Sequence, residues 1–370
     1  MIDTDVVVIG GGVIGLSCVN QIPVGLKAIL IEKNRRCGEE SSSRNSEVIH
    51  SGIYYPHGSQ KTEHCKVGRN ELYRFCEKNQ IPFKQCGKVV VATSQDEVQF
   101  LEGLAAHCEY EIVPFQRLSK NLIQRRIPWV QGVEALYFPL SGIFDVHQYL
   151  RCLEIKARSK EVTIATNSRV SRFLSRDPWI LEVEEGDQKW QLRAKIVINA
   201  AGLEAATLSN EALQVDRYEH KLCRGRYLLI NHLFSEPLSV LIYPVPEEEG
   251  LGLHLTPDLS GQVRLGPDTE WWSPQHKNKA SKSLYDCDWD TLKKEFVAQS
   301  KKLLPSLSEQ HLSPGFVGVR PKLYVEGKAY RDFLIERHER YIHLLGIESP
   351  GLTASLSIGA QVGRETEAIS

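Results

Sequence analysis

The sequence has no excess of charge of either sign and no long apolar run. Its 370 residues include 45 Lys and Arg against 46 Asp and Glu. This balance creates no whole-molecule field that would attract DNA, RNA or an anionic membrane, so we expect no nucleic-acid partner. The longest apolar stretch, residues 6–19, contains four glycines and is too short to span a bilayer. We therefore expect no integral membrane segment.

Cysteines with metal-binding or redox spacing are also absent. The nine cysteines are scattered, and none forms a C-x-x-C pair or a short Cys/His cluster. This pattern predicts free thiols in a reducing compartment and no metal site. The first residues lack the charged and apolar regions of a targeting segment, so we expect a cytoplasmic protein or one peripheral to a membrane. The length predicts two domains, or one large core with an inserted subdomain.

The N-terminal residues contain a dinucleotide-binding pattern. Residues 5–9 form a β-branched run typical of a buried parallel strand, and Gly10, Gly12 and Gly15 follow it with G-x-G-x-x-G spacing. Gly10 suits a tight turn, Gly12 a close approach of a pyrophosphate, and Gly15 close packing of a helix on the strand. The helix N-terminus would then offer unpaired N–H groups to the phosphates. Because Pro23 disfavours further helix, we predict a short helix over residues 13–21.

A second strand and an acidic residue complete this pattern. Residues 28–31 form a buried-type strand that ends at Glu32, 22 residues after Gly10. An acid at this position accepts hydrogen bonds from an adenosine ribose. A simple NAD domain would continue with regular βα units, whereas here a second strand ending in small residues, 195–202, follows only after a long interruption. This interrupted order favours FAD over NAD.

The chain resembles the D-amino-acid-oxidase-like FAD superfamily, and within it the L-2-hydroxyglutarate dehydrogenase/oxidase group. Besides the glycine pattern with Glu32, the resemblance rests on Arg-Asn-Ser-Glu-Val-Ile-His-Ser-Gly-Ile-Tyr-Tyr at residues 44–55 and Gln-Cys-Gly-Lys at 85–88. Further matching blocks lie at residues 241–246, 265–267, 318–323 and 346–356. Because these blocks occur in one order along nearly the whole chain, the resemblance is specific.

The resemblance implies an α/β fold in which an FAD-binding Rossmann-like domain of the glutathione-reductase type carries an inserted antiparallel-sheet substrate domain. It implies that the FAD-binding domain is discontinuous. We assign residues 1–82, 141–213 and 315–370 to the FAD-binding domain, and residues 83–140 and 214–314 to the substrate domain. Hydrophobic patterning adds a strand over 88–92 and helices over 95–108 and 147–158. It also adds strands near 161–164, 190–198, 226–230, 252–255 and 341–346.

The resemblance also implies which residues contact FAD. Because no residue in the sequence indicates a covalent linkage, we expect the FAD to be bound non-covalently. The implied cofactor-binding residues are Gly10, Gly12, Val13, Ile14, Gly15, Glu32, Lys33, Ser42, Ser43, Arg44, Asn45, Ser46, Val170, Ala200, Gly202, Gly351, Leu352 and Thr353. In the family the final helix faces the pyrimidine end of the flavin. Ser349 as N-cap and Pro350 as first helical residue would begin it. Its positive dipole end would stabilise the negative charge of a reduced flavin.

His50 is the predicted catalytic base. Oxidation of a 2-hydroxy acid requires removal of the hydroxyl proton while the α-hydrogen leaves as hydride, and an imidazole suits the first step near neutral pH. The alternative is a structural histidine beside the flavin. His254 is the rival candidate for the base and is also a candidate substrate-binding residue. It lies on an alternating strand of the predicted substrate domain, and the alternative interpretation is that it is an ordinary sheet residue.

Arg320 is predicted to be catalytic and substrate-binding, because it matches the arginine that clamps a substrate carboxylate in glycine-oxidase-like members. Arginine binds a carboxylate through two parallel hydrogen bonds. A dicarboxylate would need a second cation, for which Arg44, Lys322 and Arg226 are candidates. Tyr54, Tyr55 and Tyr243 could donate hydrogen bonds to the substrate or pack against the flavin or core.

These residues favour FAD-dependent oxidation of an L-2-hydroxy acid, with 2-hydroxyglutarate converted to 2-oxoglutarate as the leading hypothesis. The alternative within the same fold is oxidation of a small amino acid, an amine or glycerol 3-phosphate. A non-enzymatic redox sensor and an NAD-linked dehydrogenase fit less well. The partners implied are a small carboxylate substrate and an electron acceptor, which is oxygen, a quinone or an electron-transfer protein.

Overall fold

The structure of the protein is a computed structural model that describes residues 1–246, 252–273 and 283–370. The strands in this part of the chain are β1 Ile2–Ile9, β2 Ala28–Ile31, β3 Val48–Ile49, β4 Phe83–Lys84, β5 Lys88–Ala92, β6 Gln116–Ser119, β7 Glu134–Phe138, β8 Gly142–Phe144, β9 Thr163–Ala165, β10 Arg169–Arg176, β11 Trp179–Glu185, β12 Gln188–Asn199, β13 Tyr218–Ile230, β14 Leu241–Pro244, β15 Leu255–Pro257, β16 Val263–Leu265, β17 Glu270–Trp271, β18 Leu312–Val325, β19 Lys328–Ala329, β20 Leu334–His338 and β21 Tyr341–Leu345. The α-helices are α1 Val13–Val19, α2 Gln60–Lys78, α3 Gln95–Tyr110, α4 Lys120–Arg126, α5 Val146–Ser159, α6 Ala205–Leu213, α7 Trp289–Ser300 and α8 Gly351–Glu367. Short 3-10 helices cover Gly202–Glu204 and Glu309–His311.

The first of the two large sheets has eight strands. Its main order is β10-β11-β12-β1-β2-β9, and β21 joins β12 and carries β20. The inner pairs β12–β1, β1–β2, β2–β9 and β12–β21 are parallel. Val6, Val7 and Val8 of β1 are fully buried, as expected for a parallel strand covered on both faces. The carboxyl ends of β1, β2 and β12 therefore meet at one edge.

Helix α8 packs against α1 through small residues. A Cβ on Gly359 would lie 2.7 Å from the Ser17 carbonyl oxygen, and one on Gly363 would lie 2.7 Å from that of Gln21. Because a larger side chain would separate the two helices, these glycines set their spacing. The N-terminus of α8 is thereby held beside the glycine turn that precedes α1.

A ten-stranded sheet forms the other half of the fold. Its main order is β19-β18-β13-β16-β15-β14-β5-β7-β6, with β17 paired to β13. The pairs are antiparallel except β14–β5, which is parallel. A third, small sheet has the order β3-β8-β4, and His50 is the residue that follows β3. The two large sheets confirm the predicted α/β fold class, in which the strands of one sheet are inserted along the chain between strands of the other. The inserted sheet is mixed, whereas a purely antiparallel sheet was predicted.

The predicted elements agree with the structure except at their ends. The first helix ends at Val19, two residues before the predicted end, and Asn20 is its C-cap. The strand predicted near 252–255 is observed at Leu255–Pro257, and that near 161–164 at Thr163–Ala165. No helix of the described residues is long and apolar enough to cross a membrane.

The proposed boundary between residues 314 and 315 falls inside a strand. Strand β18 pairs with β13 from Leu312 to Val325, so all of it lies in the ten-stranded sheet. The chain returns to the eight-stranded sheet only at Leu334. Sequence patterning could not locate this return because it does not show which sheet a strand joins. The division into two discontinuous domains stays a prediction, with its last boundary better placed between β19 and β20.

Candidate active site

The glycine turn after β1 is shaped by close backbone contacts. Gly10 has a φ of +103°, and a Cβ there would lie 2.4 Å from the Ala200 carbonyl oxygen. A Cβ on Gly15 would lie 1.8 Å from the Gly10 carbonyl oxygen. The backbone N–H of Val13 donates to Ser42 Oγ at 2.9 Å. The turn therefore tolerates only glycine at these two positions and is held to the serine loop that follows β2.

Glu32 lies at the end of β2 and is 6% exposed. Its Oε2 accepts the Gly11 N–H at 2.6 Å, and its Oε1 accepts the Asn34 N–H at 2.7 Å. Two hydrogen bonds of this kind fix the direction of a buried carboxylate. Lys33 does not contact it: the ammonium lies 2.8 Å from a Glu204 carboxylate oxygen and 3.0 Å from one of Glu40.

Two cavities lie along this edge of the first sheet. The first encloses about 630 Å³ and is lined by Gly10, Glu32, Lys33, Val170 and Gly202, among others. The second encloses about 1340 Å³, counting the part that opens to solvent, and extends to the second sheet. Both are bordered by Gly12, Ser41, Ser42, Ala200 and Gly202, so they meet at the glycine turn.

The second cavity collects residues that lie far apart in the sequence. The predicted site residues that line it are Gly12, Val13, Ile14, Ser42, Arg44, Asn45, Ser46, His50, Ala200, Gly202, Tyr243, His254, Arg320, Gly351 and Leu352. The joined cavities match the shape of a dinucleotide, with the acidic Glu32 at one end and the wide cavity at the other. The glycine cradle lies between them, where a pyrophosphate would sit. The residues present therefore fit FAD.

His50 is held on three sides at the wide end. Its backbone N–H donates to Thr353 Oγ1 at 3.1 Å. Its Nε2 lies 3.2 Å from Ser349 Oγ, and its Nδ1 lies 3.4 Å from Lys88 Nζ. Burial, with the nearby Lys88 and His254, lowers the pKa of His50 well below its ordinary value of 6.5. The imidazole is therefore neutral at physiological pH, as a base must be.

Tyr243 and His254 form an aromatic stack in the same cavity. Their ring centroids are 3.5 Å apart and their planes are 11° from parallel. Burial raises the pKa of the Tyr243 phenol well above its ordinary value, so the hydroxyl stays protonated. Both residues belong to the second sheet and its connections, and they form the wall that faces His50.

Arg320 lines the cavity from β18. Its Nη2 donates to the carbonyl oxygens of Asp268 at 2.6 Å and Arg224 at 3.1 Å. Its Nε is buried and has no hydrogen-bond partner within the described residues. A Cβ on the neighbouring Gly225 would lie 3.1 Å from Nη2, so glycine leaves room for the guanidinium. The arginine is thus anchored through one nitrogen and retains donors for a ligand.

The start of α8 differs from the prediction by one residue. The helix begins at Gly351 with Pro350 as N-cap, and Ser349 does not cap it. The Ser349 hydroxyl instead contacts His50 Nε2. A serine followed by proline is typical of a cap, but the nearby imidazole competes for the same hydroxyl. Gly351 and Leu352 border the cavity as predicted for a helix N-terminus facing a ligand, and their role toward FAD stays a prediction.

Some predicted residues do not border either cavity. Lys322 lies 2.7 Å from a Glu348 carboxylate oxygen, and the Tyr54 hydroxyl is buried without a partner in the described chain. Gly15, Ser43 and Thr353 also lie outside the linings, although Thr353 supports His50 from behind. The ligand contacts proposed for these residues stay predictions.

No site role was predicted for Lys88 or Tyr227, and Ser349 was predicted only as a helix cap. Lys88 is 1% exposed within β5, whose five residues are all buried. The sequence could have drawn attention to Lys88, because it begins an otherwise apolar strand. A lysine is almost never fully buried without a role or a partner. Tyr227 lines the cavity and its hydroxyl lies 2.9 Å from Ser46 Oγ. No local pattern marks that contact, since the two residues belong to different elements.

Known proteins resemble this chain over nearly its whole length. The family described as FAD dependent oxidoreductase (DAO) matches residues 5–364. The mitochondrial L-2-hydroxyglutarate dehydrogenase of Arabidopsis thaliana is 32% identical over 98% of this chain and 83% of its own length. The L-2-hydroxyglutarate dehydrogenase of Indibacter alkaliphilus is 30% identical over 97% of this chain and 98% of its own length.

A solved structure shows the same architecture. The dithionite-reduced L-alpha-glycerophosphate oxidase of Mycoplasma pneumoniae, which has FAD bound, superposes with a TM-score of 0.87. It is 26% identical, and the match covers 99% of this chain and 95% of that one. The resemblance and the predicted cofactor are thereby confirmed: the chain belongs to the family of FAD dependent oxidoreductases.

Proposed function

We propose that the protein oxidises an L-2-hydroxy acid, with L-2-hydroxyglutarate as substrate and 2-oxoglutarate as product. The observation that carries the proposal is the placement of His50 and Arg320 on one cavity beside the start of α8. A neutral imidazole and a guanidinium with free donors are the two groups that a 2-hydroxy acid requires. Two relatives named for this activity match 98% and 97% of this chain, and 83% and 98% of their own lengths.

The chain's residues divide the chemistry between them. Arg320 binds the carboxylate next to the reacting carbon, through donors that its two carbonyl contacts leave free. His50 Nε2 accepts the hydroxyl proton, with Ser349 Oγ holding the ring until substrate arrives. When bound, FAD supplies the two-electron acceptor for the α-hydrogen.

Arg44 is the proposed partner of the distal carboxylate. Of the three candidate cations, Arg226 forms an ion pair with Asp268 at 2.6 Å and Lys322 is engaged by Glu348. Arg44 borders the cavity, and its guanidinium lies 4.4 Å from the centroid of the Tyr285 ring. No carboxylate within the described residues forms a salt bridge with it. Its positive charge is therefore available to a dicarboxylate.

Anaerobic reduction tests this proposal. The purified flavoprotein is mixed without oxygen with L-2-hydroxyglutarate, D-2-hydroxyglutarate, glycine or sn-glycerol 3-phosphate, and the visible flavin absorbance is followed. We expect bleaching with L-2-hydroxyglutarate alone. Bleaching by glycerol 3-phosphate or glycine, with none by the 2-hydroxy acid, would overturn the proposal in favour of that other substrate class. Reoxidation with oxygen or with a soluble quinone then distinguishes the electron acceptors.

A further inference from the structure

Lys88 is a buried base that the proposed chemistry has not yet used. It lies in β5, is 1% exposed, and its Nζ is 3.4 Å from His50 Nδ1. It does not border the cavity and contacts Nδ1, whereas Ser349, which borders the cavity, contacts Nε2. Within the described residues no carboxylate forms a salt bridge with it, in contrast to the buried Lys61, whose ammonium lies 3.1 Å from Glu348.

The surroundings of Lys88 are aromatic and neutral. Its Nζ lies 4.1 Å from the centroid of the Tyr243 ring and 5.9 Å from that of Tyr54. The thiols of Cys65 on α2 and Cys86 before β5 are the other titratable groups near it, and burial raises the pKa of both. Burial lowers the pKa of Lys88 itself from 10.5 to about 7, with these two thiols opposing the shift.

We propose that Lys88 is a positioning residue that selects the tautomer of His50, and that its neutral amine accepts the Nδ1 proton when Nε2 receives the proton of the substrate. The proposal rests on the proposed role of His50 as base. A hydrogen bond between Nδ1 and Nζ can run in two directions. When Lys88 is neutral, Nδ1–H donates to Nζ and Nε2 carries a free lone pair. When Lys88 is an ammonium, it donates to Nδ1, which forces the ring proton onto Nε2 and blocks the base.

The contact at Nε2 can adapt to both states. The Ser349 hydroxyl lies 3.2 Å from Nε2, so it donates to Nε2 when Nε2 is unprotonated and accepts from it when Nε2 carries the ring proton. His254 also faces His50, and a positive charge on either His254 or Lys88 would disfavour an imidazolium. His50 is thus kept neutral while its tautomer follows the protonation of Lys88.

The proton transfer balances. The substrate O–H bond breaks and an N–H bond forms at Nε2, while the Nδ1–H bond breaks and an N–H bond forms at Nζ. His50 is neutral before and after, the alkoxide retains the electron pair of its O–H bond, and Lys88 takes the positive charge. The resulting ammonium faces the Tyr243 ring at cation–π distance, which stabilises it without a buried carboxylate.

The tautomer is measured directly by NMR on the FAD-loaded enzyme with no substrate. Long-range ¹H–¹⁵N spectra identify the His50 ring as the signal set that His50→Gln removes. We expect the Nδ1–H tautomer at pH 8.5 and the Nε2–H tautomer at pH 5.5. We expect Lys88→Met to lose this change with pH, whereas Lys195→Met, at an exposed ion pair with Asp5, retains it. An unchanged tautomer in the wild type, or the same change in Lys88→Met, would overturn the proposal.

The pH profile of anaerobic flavin reduction gives the second measurement, made with whichever substrate of the panel bleaches the flavin. We expect the wild-type rate constant to rise about tenfold or more from pH 5.5 to 8.5, because the neutral amine forms over that range. Lys88→Met should be slower at pH 8.5 and nearly flat with pH. A wild-type acid limb retained in Lys88→Met would contradict the proposal. Because the NMR measurement needs no substrate, its outcome is independent of whether L-2-hydroxyglutarate is the substrate.

Discussion

The side-chain nitrogen of Lys88 lies 4.1 Å from the centroid of the Tyr243 ring, inside a strand whose five residues are all buried. This position costs stability whenever the lysine is charged. Its pKa falls from 10.5 in the unfolded chain to about 7 in the fold, so the penalty is absent above pH 10.5, grows as the pH falls, and is constant below pH 7. Such a difference corresponds to on the order of 5 kcal/mol as an upper limit.

Lys88→Met should therefore stabilise the protein at pH 6 and have little effect at pH 10. Methionine keeps the length of the apolar stem and removes the charge. Urea unfolding at pH 6, 8 and 10 measures the free energy of unfolding, with the exposed Lys195→Met as the matched control, for which we expect less than about 0.5 kcal/mol at each pH. A Lys88→Met protein that is less stable than the wild type at pH 6 would show that the amine is engaged by a stronger partner.

Glycine is required at the nucleotide turn for steric reasons. Gly15→Ala would place a Cβ 1.8 Å from the Gly10 carbonyl oxygen, so the turn must open and its N–H groups lose their alignment. We expect the flavin content per protein to fall at least tenfold. Gly103→Ala in α3 is the control: a Cβ there meets nothing within 4 Å, and alanine favours helix by about 1 kcal/mol. Equal flavin content in the two variants would contradict this account of the turn.

Arg44→Met tests the proposed distal-carboxylate contact. Loss of a charged hydrogen bond of about 1.5–3 kcal/mol predicts a 10- to 100-fold increase in the substrate concentration needed for half-maximal reduction. The effect should appear with the dicarboxylate L-2-hydroxyglutarate and not with a 2-hydroxy monocarboxylate of similar chain length. Arg320→Met should instead weaken the binding of both substrates. If Arg44→Met weakened the binding of the two substrates equally, Arg44 would act on the cofactor or the fold and not on the distal carboxylate.

Glu348 joins two cations beside the cavity. Its carboxylate lies 3.1 Å from Lys61 Nζ and 2.7 Å from Lys322 Nζ. Although burial opposes ionisation, the two ammonium groups hold the pKa of Glu348 below its ordinary value of 4.5. A carboxyl with a lowered pKa in the fold contributes stability above its ordinary pKa, and this contribution is lost as the pH falls through the lowered value.

Glu348→Gln should destabilise the protein by about 3 kcal/mol at pH 7, because it leaves buried positive charge unpaired. The difference from the wild type should shrink below pH 4.5. Denaturant unfolding of Glu348→Gln is compared with that of Glu154→Gln, which removes an exposed helical pair with Arg158 and should cost less than about 0.5 kcal/mol. A pH-independent difference would show that the carboxylate is not ionised in the fold.

The parts of the site that depend on local sequence could be predicted from it. The turn around Gly10 and the acid at Glu32 follow from spacing, because a strand, a tight turn and a helix determine one another within about 25 residues. His50 and Arg320 were identified through the family resemblance, and the structure places both on one cavity. Their chemical roles stay predictions until they are measured.

The parts that depend on contacts between elements could not be predicted. Lys88 and His50 are 38 residues apart on different elements, and their contact arises from the packing of β5 beside the loop after β3. The capping prediction for Ser349 was wrong because its hydroxyl contacts an imidazole 299 residues away in the sequence. Lys322 has the charge of a carboxylate binder, but Glu348, on a neighbouring loop, already engages it.

A single-turnover reaction with L-2-hydroxyglutarate tests the central claim most directly. The anaerobic FAD enzyme is mixed with substrate that carries hydrogen or deuterium at C2, and flavin bleaching and 2-oxoglutarate are measured together. We predict one 2-oxoglutarate per flavin reduced, slower bleaching with deuterium, and a His50→Gln enzyme that keeps its flavin but reduces it 10²- to 10⁴-fold more slowly. Bleaching without 2-oxoglutarate, or an unchanged rate in His50→Gln, would contradict the account.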